Sequence, residues 1–413
     1  MPIVTLRELL GQAETSAFLR GVVASGRPAN AYLFQGPAGV GKGTAAIAFA
    51  RALLCEGASS ATGAAARASG PSLFDAPAEA AAAERAATPA AARDDACGVC
   101  AACRKSATLQ HPDFKFLFPV SGEEKELDAT VAETLAALRA DPLFVFQYEK
   151  AASIRLSLTR ELLRELAFKP FEAAYRVVVV RDADRMREDQ YSALLKSLEE
   201  PGAATVWVLT TSRASRLPAT IRSRCQRVRF APLSEALVGE VLTDRAGIAP
   251  RDARILAALA GGSLGRALVL RDMDPIATRD EALALLEPAA RGDAVGLWKA
   301  AQGFARFGRA GRETLRRAIE FHELWLRDLL RASCDAPREQ LVHRDREAEI
   351  RREARGLSAT EIRRRLMVLE EVLRAIEGNV SPDLALFSGA ARLAGRRLGE
   401  GAWPPHATAR WDY

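Results

Sequence analysis

The chain has 413 residues, 49% hydrophobic and 27% charged, with a net charge of +6. That length allows two or three domains, each with its own core. No apolar run approaches the length of a membrane span, and the opening, Met1-Pro2-Ile3-Val4-Thr5-Leu6-Arg7-Glu8, lacks the basic-then-apolar plan of a signal peptide, so a cytoplasmic protein with no membrane partner is expected. The positive balance permits a nucleic-acid partner, but it is spread through mixed-sign runs such as Arg344 to Glu353, which read as solvated helix faces.

From Leu6 to about Ala231, β-like runs alternate with amphipathic helices, the pattern of a parallel sheet covered on both faces. Strands are expected at 31–35, 114–118, 176–181, 205–210 and 226–230. The first leads into Gly36-Pro37-Ala38-Gly39-Val40-Gly41-Lys42-Gly43-Thr44, a G-x-x-x-x-G-K loop whose backbone N–H groups and lysine suit phosphates. The hydroxyl that normally follows the lysine sits on magnesium, and here that position is Gly43. The run Val177 to Val180 reads as a buried strand leading to Asp182, placed to supply a metal-side carboxylate. Gly36, Gly41, Lys42, Thr44 and Asp182 therefore form a degenerate nucleotide site, for which binding of ATP is expected to be weak or absent. Residues 56–96 are mostly Ala, Ser, Gly and Pro and read as a disordered insertion, because they offer too little apolar area to offset ordering entropy.

Cys97-Gly98-Val99-Cys100-Ala101-Ala102-Cys103 closes that insertion, and Cys55 stands at its other end. In a reducing compartment such spacing reads as metal ligation, with thiolates converging on one structural, tetrahedral Zn2+. Cys97, Cys100 and Cys103 supply three ligands, and either Cys55 or His111 supplies the fourth. Beyond Pro232 the pattern turns helical. A small unit fits 233–273, with a Gly261-Gly262-Ser263 turn before a helix at 264–271. Long helices, such as Ala310 to Cys334 and Ser358 to Glu377, dominate from about 275 to 400. The resulting division is 1–232, 233–274 and 275–400, with a loose tail at 401–413.

Together these segments resemble the bacterial clamp-loader subunits of the AAA+ class, which place the sliding clamp on primed DNA for DNA polymerase III. The similarity covers most of the chain and runs in the family's order. Gly11-Gln12, Asn30 to Phe34, the phosphate loop, the cysteine knuckle and His111-Pro112-Asp113 are followed by Arg181-Asp182-Ala183-Asp184-Arg185-Met186, Ala193 to Pro201 and Leu217 to Cys225. The resemblance implies an α/β P-loop AAA+ domain with a small zinc knuckle, a helical lid and an all-α collar, the last matched by Glu377 to Leu386.

Within the family, motor subunits of the gamma and tau type hydrolyse ATP and the delta-prime type generally does not. The motor members carry a water-orienting glutamate where this chain has Ala183, and a lid arginine where it has Gly265, with Arg266 one step of about 100° further round the helix. The intact Ser223-Arg224-Cys225 implies that Arg224 is an arginine finger acting on a neighbour's ATP. The implied role is a non-hydrolysing delta-prime-type subunit partnered by gamma/tau and delta subunits, and through them by clamp and primed DNA. The alternatives are a gamma/tau-like motor that uses Thr44 in place of Gly43, and a P-loop small-molecule kinase, which the knuckle and the helical C-terminal third disfavour.

Overall fold

The computed structural model describes residues 4–57, 93–120, 127–141, 143–146, 152–154, 156–166, 168–199, 204–272, 274–306, 308–377 and 380–394. The body of the insertion, residues 58–92, and the tail, residues 401–413, lie outside the described residues. The two ends of the insertion are placed: Glu56 and Gly57 are helical after the break at Cys55, and buried Asp95 accepts from the N–H groups of Leu6 (3.1 Å) and Arg7 (3.0 Å). By internal contacts the chain forms two compact units, Met1–Ala246 with Gly262–Arg266, and Gly247–Gly261 with Ala267–Tyr413.

The first unit is built on a five-stranded parallel sheet of β1 (Ala31–Gln35), β2 (Phe114–Leu117), β3 (Arg176–Val180), β4 (Thr205–Thr211) and β5 (Gln226–Arg229) in the order β2-β3-β4-β1-β5. Strand residues alternate between two cores, as a pleat requires. On one face Tyr32, Phe34, Val177, Val179, Val206 and Val208 pack with α1 (Ala13–Ser25) and α2 (Lys42–Leu54). On the other, Leu33, Val178, Val180, Trp207 and Leu209 meet Leu162 of α5 (Leu156–Glu165) and Leu194 and Leu198 of α6 (Glu188–Glu199). Valine at four successive positions is what a strand buried on both sides needs. The short helices α3 (Ala101–Ala107) and α7 (Ala219–Arg224), with α4 (Leu127–Ala140) and α8 (Glu235–Asp244), complete this unit. This is the P-loop AAA+ sheet expected from the sequence, with strand ends moved by a residue: β2 and β3 stop at Leu117 and Val180, and β4 extends to Thr211.

The second unit is helical in its described residues. Its axis is α14 (Gly308–Ala332), packed by α11 (Pro275–Ala284), α13 (Ala294–Arg306), α15 (Glu347–Arg355) and α16 (Ala359–Glu377); α9 (Pro250–Ala260), α10 (Leu264–Arg271, of which Ala267–Arg271 belongs here), α12 (Glu287–Arg291) and α17 (Pro382–Ala394) account for the remaining helices. Leu315, Ile319, Leu326 and Leu329 form one apolar stripe on α14, the spacing of a helix face. Ser358, expected as the first residue of α16, is its cap, accepting from the N–H of Glu361 at 3.1 Å. Buried Asp328 accepts from the N–H groups of Val342 and His343, and its Oδ2 lies 2.9 Å from His343 Nδ1. Burial pushes His322 down to about 4, so its ring is neutral as it donates to the Ala282 carbonyl.

One buried carboxylate organises the edge of the sheet next to β3. Asp113 is fully buried and accepts from the N–H groups of Phe171 (2.6 Å), Glu172 (2.8 Å) and Ala173 (2.9 Å), with Arg176 Nε 3.7 Å away. Burial alone would raise its pKa, but those N–H donors and the arginine outweigh burial and hold it below the usual carboxylate value. An unfolded aspartate titrates near about 3.9, so the stabilisation is complete above that pH and is lost as pH falls through it toward the folded value. Asp113→Ala should therefore lower stability by roughly 3 kcal/mol at neutral pH, with the deficit relative to wild type shrinking in acid. Denaturant titrations at neutral pH and at a pH below the unfolded value check both statements.

Candidate functional site

The strand order brings the carboxyl ends of β1, β3 and β4 side by side, where open α/β sheets bind ligands. Gly36, Gly39 and Gly41 all have positive φ, and Gly41, left-handed, starts α2. The N–H groups of Gly39 to Lys42 have no acceptor among the described residues, which leaves an anion cradle open. Lys42, 6% exposed, turns its Nζ back onto the carbonyls of Gly36 (2.8 Å) and Pro37. Burial pushes its ammonium down to about 8, while Asp182 pulls it up and Arg181 pushes it further down. Thr44, the substitute hydroxyl of the motor alternative, is exposed one residue further along the helix.

A P-loop implies a divalent cation between this helix and the acid after β3, and the residues present do not fit one. A Cβ built on Gly43 would collide with Nη1 of Arg181 and stand 3.3 Å from its Cζ. The guanidinium therefore fills the space beside Gly43 where the metal-binding hydroxyl would project. Its Nε lies 3.5 Å from Asp182 Oδ2, and its Cζ lies 3.9 Å above the Phe146 ring. Asp182 adopts a left-handed backbone, and its N–H donates to Thr210 Oγ1 at the end of β4. Ala183 is fully buried, and Asp184 is engaged by the Thr211 hydroxyl (2.7 Å) and by Arg213. Arg181 was missed by the sequence reading; its one signal was a cation closing an otherwise apolar strand in a chain whose loop has a vacant glycine.

The first turn of α10 packs on the loop itself. Gly265 N donates to Gly39 O at 3.0 Å, and a Cβ on Gly265 would stand 2.9 Å from Gly39 Cα. Gly265 thus touches the backbone of the loop and has no room for a side chain. Arg224 ends α7 on the surface, donating to Thr220 O at 2.9 Å and ion-paired with Glu199 of α6. Glu199 was a second residue the sequence left unassigned. Cys225 belongs to the core, its thiol pushed up to about 12 by burial.

The sulfur atoms of Cys55, Cys97, Cys100 and Cys103 all lie within 4.8 Å of one another, so these four could hold a metal ion. Cys55 to Cys100 measures 4.0 Å and Cys97 to Cys103 3.9 Å, close to the roughly 3.8 Å edge of a tetrahedron with metal–sulfur bonds of about 2.3 Å. The N–H groups of Cys97, Cys100 and Cys103 each point at a cluster sulfur at 3.4 Å, which favours thiolates. The neighbouring Cys103 thiol holds Cys55 well below the usual thiol range, and Cys103 is raised in turn by Cys55 and by burial. Buried Arg51 adds positive charge near both. His111 is not in the cluster: its Nδ1 accepts from Asp113 N–H at 3.1 Å and its Nε2 faces Glu172 at 3.3 Å.

Fold and site define a P-loop AAA+ protein in which the guanidinium of Arg181 stands beside Gly43 of the loop. The family described as DNA polymerase III, delta subunit, matches residues 11–70 and 69–234, more than half of the chain, and the chain belongs to that family of clamp-loader subunits. The tau subunit of DNA polymerase III from Bacillus subtilis is 25% identical over 270 residues, 64% of this chain and 37% of that protein. The delta' subunit from Pseudomonas aeruginosa is 31% identical over 197 residues, 48% of this chain and 42% of that protein. The gamma/tau subunit from Mycobacterium tuberculosis is 27% identical over 416 residues, 94% of this chain and 60% of that protein. The chain thus spans less than two thirds of each of these relatives. No helix among the described residues is long and apolar enough to cross a membrane.

The cysteine geometry sets an expected outcome. Protein purified without chelator should carry about one equivalent of zinc by metal analysis, and Cys100→Ser should lose it and melt at a lower temperature. His111→Ala should keep the metal.

Proposed function

We propose that this chain is the delta-prime type of clamp-loader subunit: it helps load the sliding clamp onto primed DNA without hydrolysing ATP, and it supplies Arg224 to the ATP site of a neighbour. In this reading the partners are gamma/tau motor and delta subunits in a hetero-oligomeric ring. Residues 1–232 form the AAA+ domain, 233–274 the lid and 275–400 the collar that closes the ring, while zinc at Cys55, Cys97, Cys100 and Cys103 is structural. The observation that carries the reading is the contrast within one unit between a metal position filled by Arg181 and an Arg224 left at the surface. A site without a metal hydroxyl, a water-orienting acid or a lid arginine lacks three of the parts that phosphoryl transfer uses, although it keeps the loop, Lys42 and Asp182. A finger needs only a rigid helix end and an exposed guanidinium.

A second reading, a gamma/tau-like motor, is favoured by the names of most relatives, such as the tau subunit of Bacillus subtilis. It requires Thr44 to serve the metal from the next helix position, about 100° away from the site. Two measurements separate the readings. The isolated chain should show no ATP turnover above background, and robust turnover abolished by Lys42→Ala would establish the motor reading instead. In a complex reconstituted with gamma/tau and delta subunits, Arg224→Ala should leave composition unchanged but slow hydrolysis at the adjoining site on the order of 10³-fold. Total turnover then falls partly and clamp loading falls more. Arg224→Lys should not rescue, because lysine lacks the planar fork; full activity of either variant would remove the finger role.

A further inference from the structure

We infer that Arg181 occupies the seat of the divalent cation, so that the phosphate loop takes a nucleoside polyphosphate as its metal-free anion. The inference deepens the non-hydrolysing reading and rests on it. Two contacts hold the guanidinium: the Phe146 ring lies 3.9 Å below Cζ, and Asp182 Oδ2 lies 3.5 Å from Nε, while the backbone N–H of Arg181 is anchored separately on Leu117 O at 2.8 Å. Gly43 provides the space, since any larger side chain there would meet Nη1.

Magnesium in such a site demands near-octahedral oxygen ligands and sits between a hydroxyl on the helix and the acid after β3. Here the hydroxyl is absent, Asp182 already faces a cation, and a second cation would be set against the fixed charge of Arg181. With the guanidinium in this position, geometry and charge both oppose a metal, which would have to displace Arg181 from Gly43 and Asp182. The anion cradle survives nonetheless, since the N–H groups of Gly39 to Lys42 point to no protein acceptor among the described residues. Among the described residues Lys42 Nζ is bonded to carbonyls of its own loop, from which it can turn to a phosphate. Guanidinium donors match phosphate oxygens in a way a hydrated cation does not. With Arg181 on one side and Lys42 on the other, the polyphosphate loses the need for the ion that normally accompanies it.

The test is binding of fluorescently labelled ATP to the full chain, by anisotropy, in excess EDTA and in excess magnesium chloride. Binding in EDTA should be at least as tight as in magnesium. Arg181→Ala should weaken binding in EDTA about tenfold, whereas Arg181→Lys, which keeps the charge, should weaken it less. Gly43→Ser combined with Arg181→Ala, which restores the hydroxyl and vacates the seat, should bind more tightly with magnesium than without. Wild-type binding that requires magnesium, no binding in EDTA, or an Arg181→Ala variant that melts like wild type and binds unchanged would each overturn the inference. Magnesium-dependent turnover in the same samples would overturn the non-hydrolysing reading itself, while magnesium-dependent binding without turnover would overturn only the seat assigned to Arg181.

Discussion

A parallel strand buried on both faces can offer functional groups only beyond its ends, and the whole site follows from that constraint. Val177 to Val180 have no exposed surface, so the chemistry of β3 begins at Arg181 and Asp182. The same holds for β1, whose buried residues give way to the glycines of the loop. The register that pairs Leu33 with Leu209, and Val180 with Leu209, fixes how far apart those loop residues can be. Arg181 reaches Gly43 because both strands stop at the same edge. Moving either strand by one residue would turn its side chains to the wrong core.

Much of the sheet was legible because buried parallel strands are short apolar runs between helical periods, and each expected strand lies within a residue or so of its place. The phosphate loop and the cysteine spacing were legible because their chemistry is local in sequence. What could not be read was set by long-range contact. That Arg181 fills the space beside Gly43 depends on β1 and β3 lying either side of β4, which no local pattern encodes. The pairing of Arg224 with Glu199 joins two helices in the same way. The choice between Cys55 and His111 turned on Asp113: once that carboxylate binds the 171–173 loop, the backbone N–H of Asp113 occupies Nδ1 of His111, and the imidazole is committed before any metal is considered.

The interior handles charge with one recurring solution. Asp113 in the first unit and Asp328 in the second are both fully buried, and each accepts backbone N–H groups from a connecting segment between regular elements. Such a carboxylate repays its desolvation by ordering several donors at once. The loop then needs few apolar contacts of its own, which is how Phe168 and Phe171 stay exposed on a fixed segment.

The ion pair between Arg224 and Glu199 has a consequence for reversibility. A guanidinium that is bare in the free subunit would gain its whole interaction energy on meeting a phosphate, and the partner would be hard to release. Arg224 is already satisfied within its own subunit, so any encounter is an exchange of one anion for another, and only the difference between the two remains to hold the new contact. In the proposed finger role Glu199 would act as a stored competitor, held at the helix end to take the arginine back when the opposing charge diminishes.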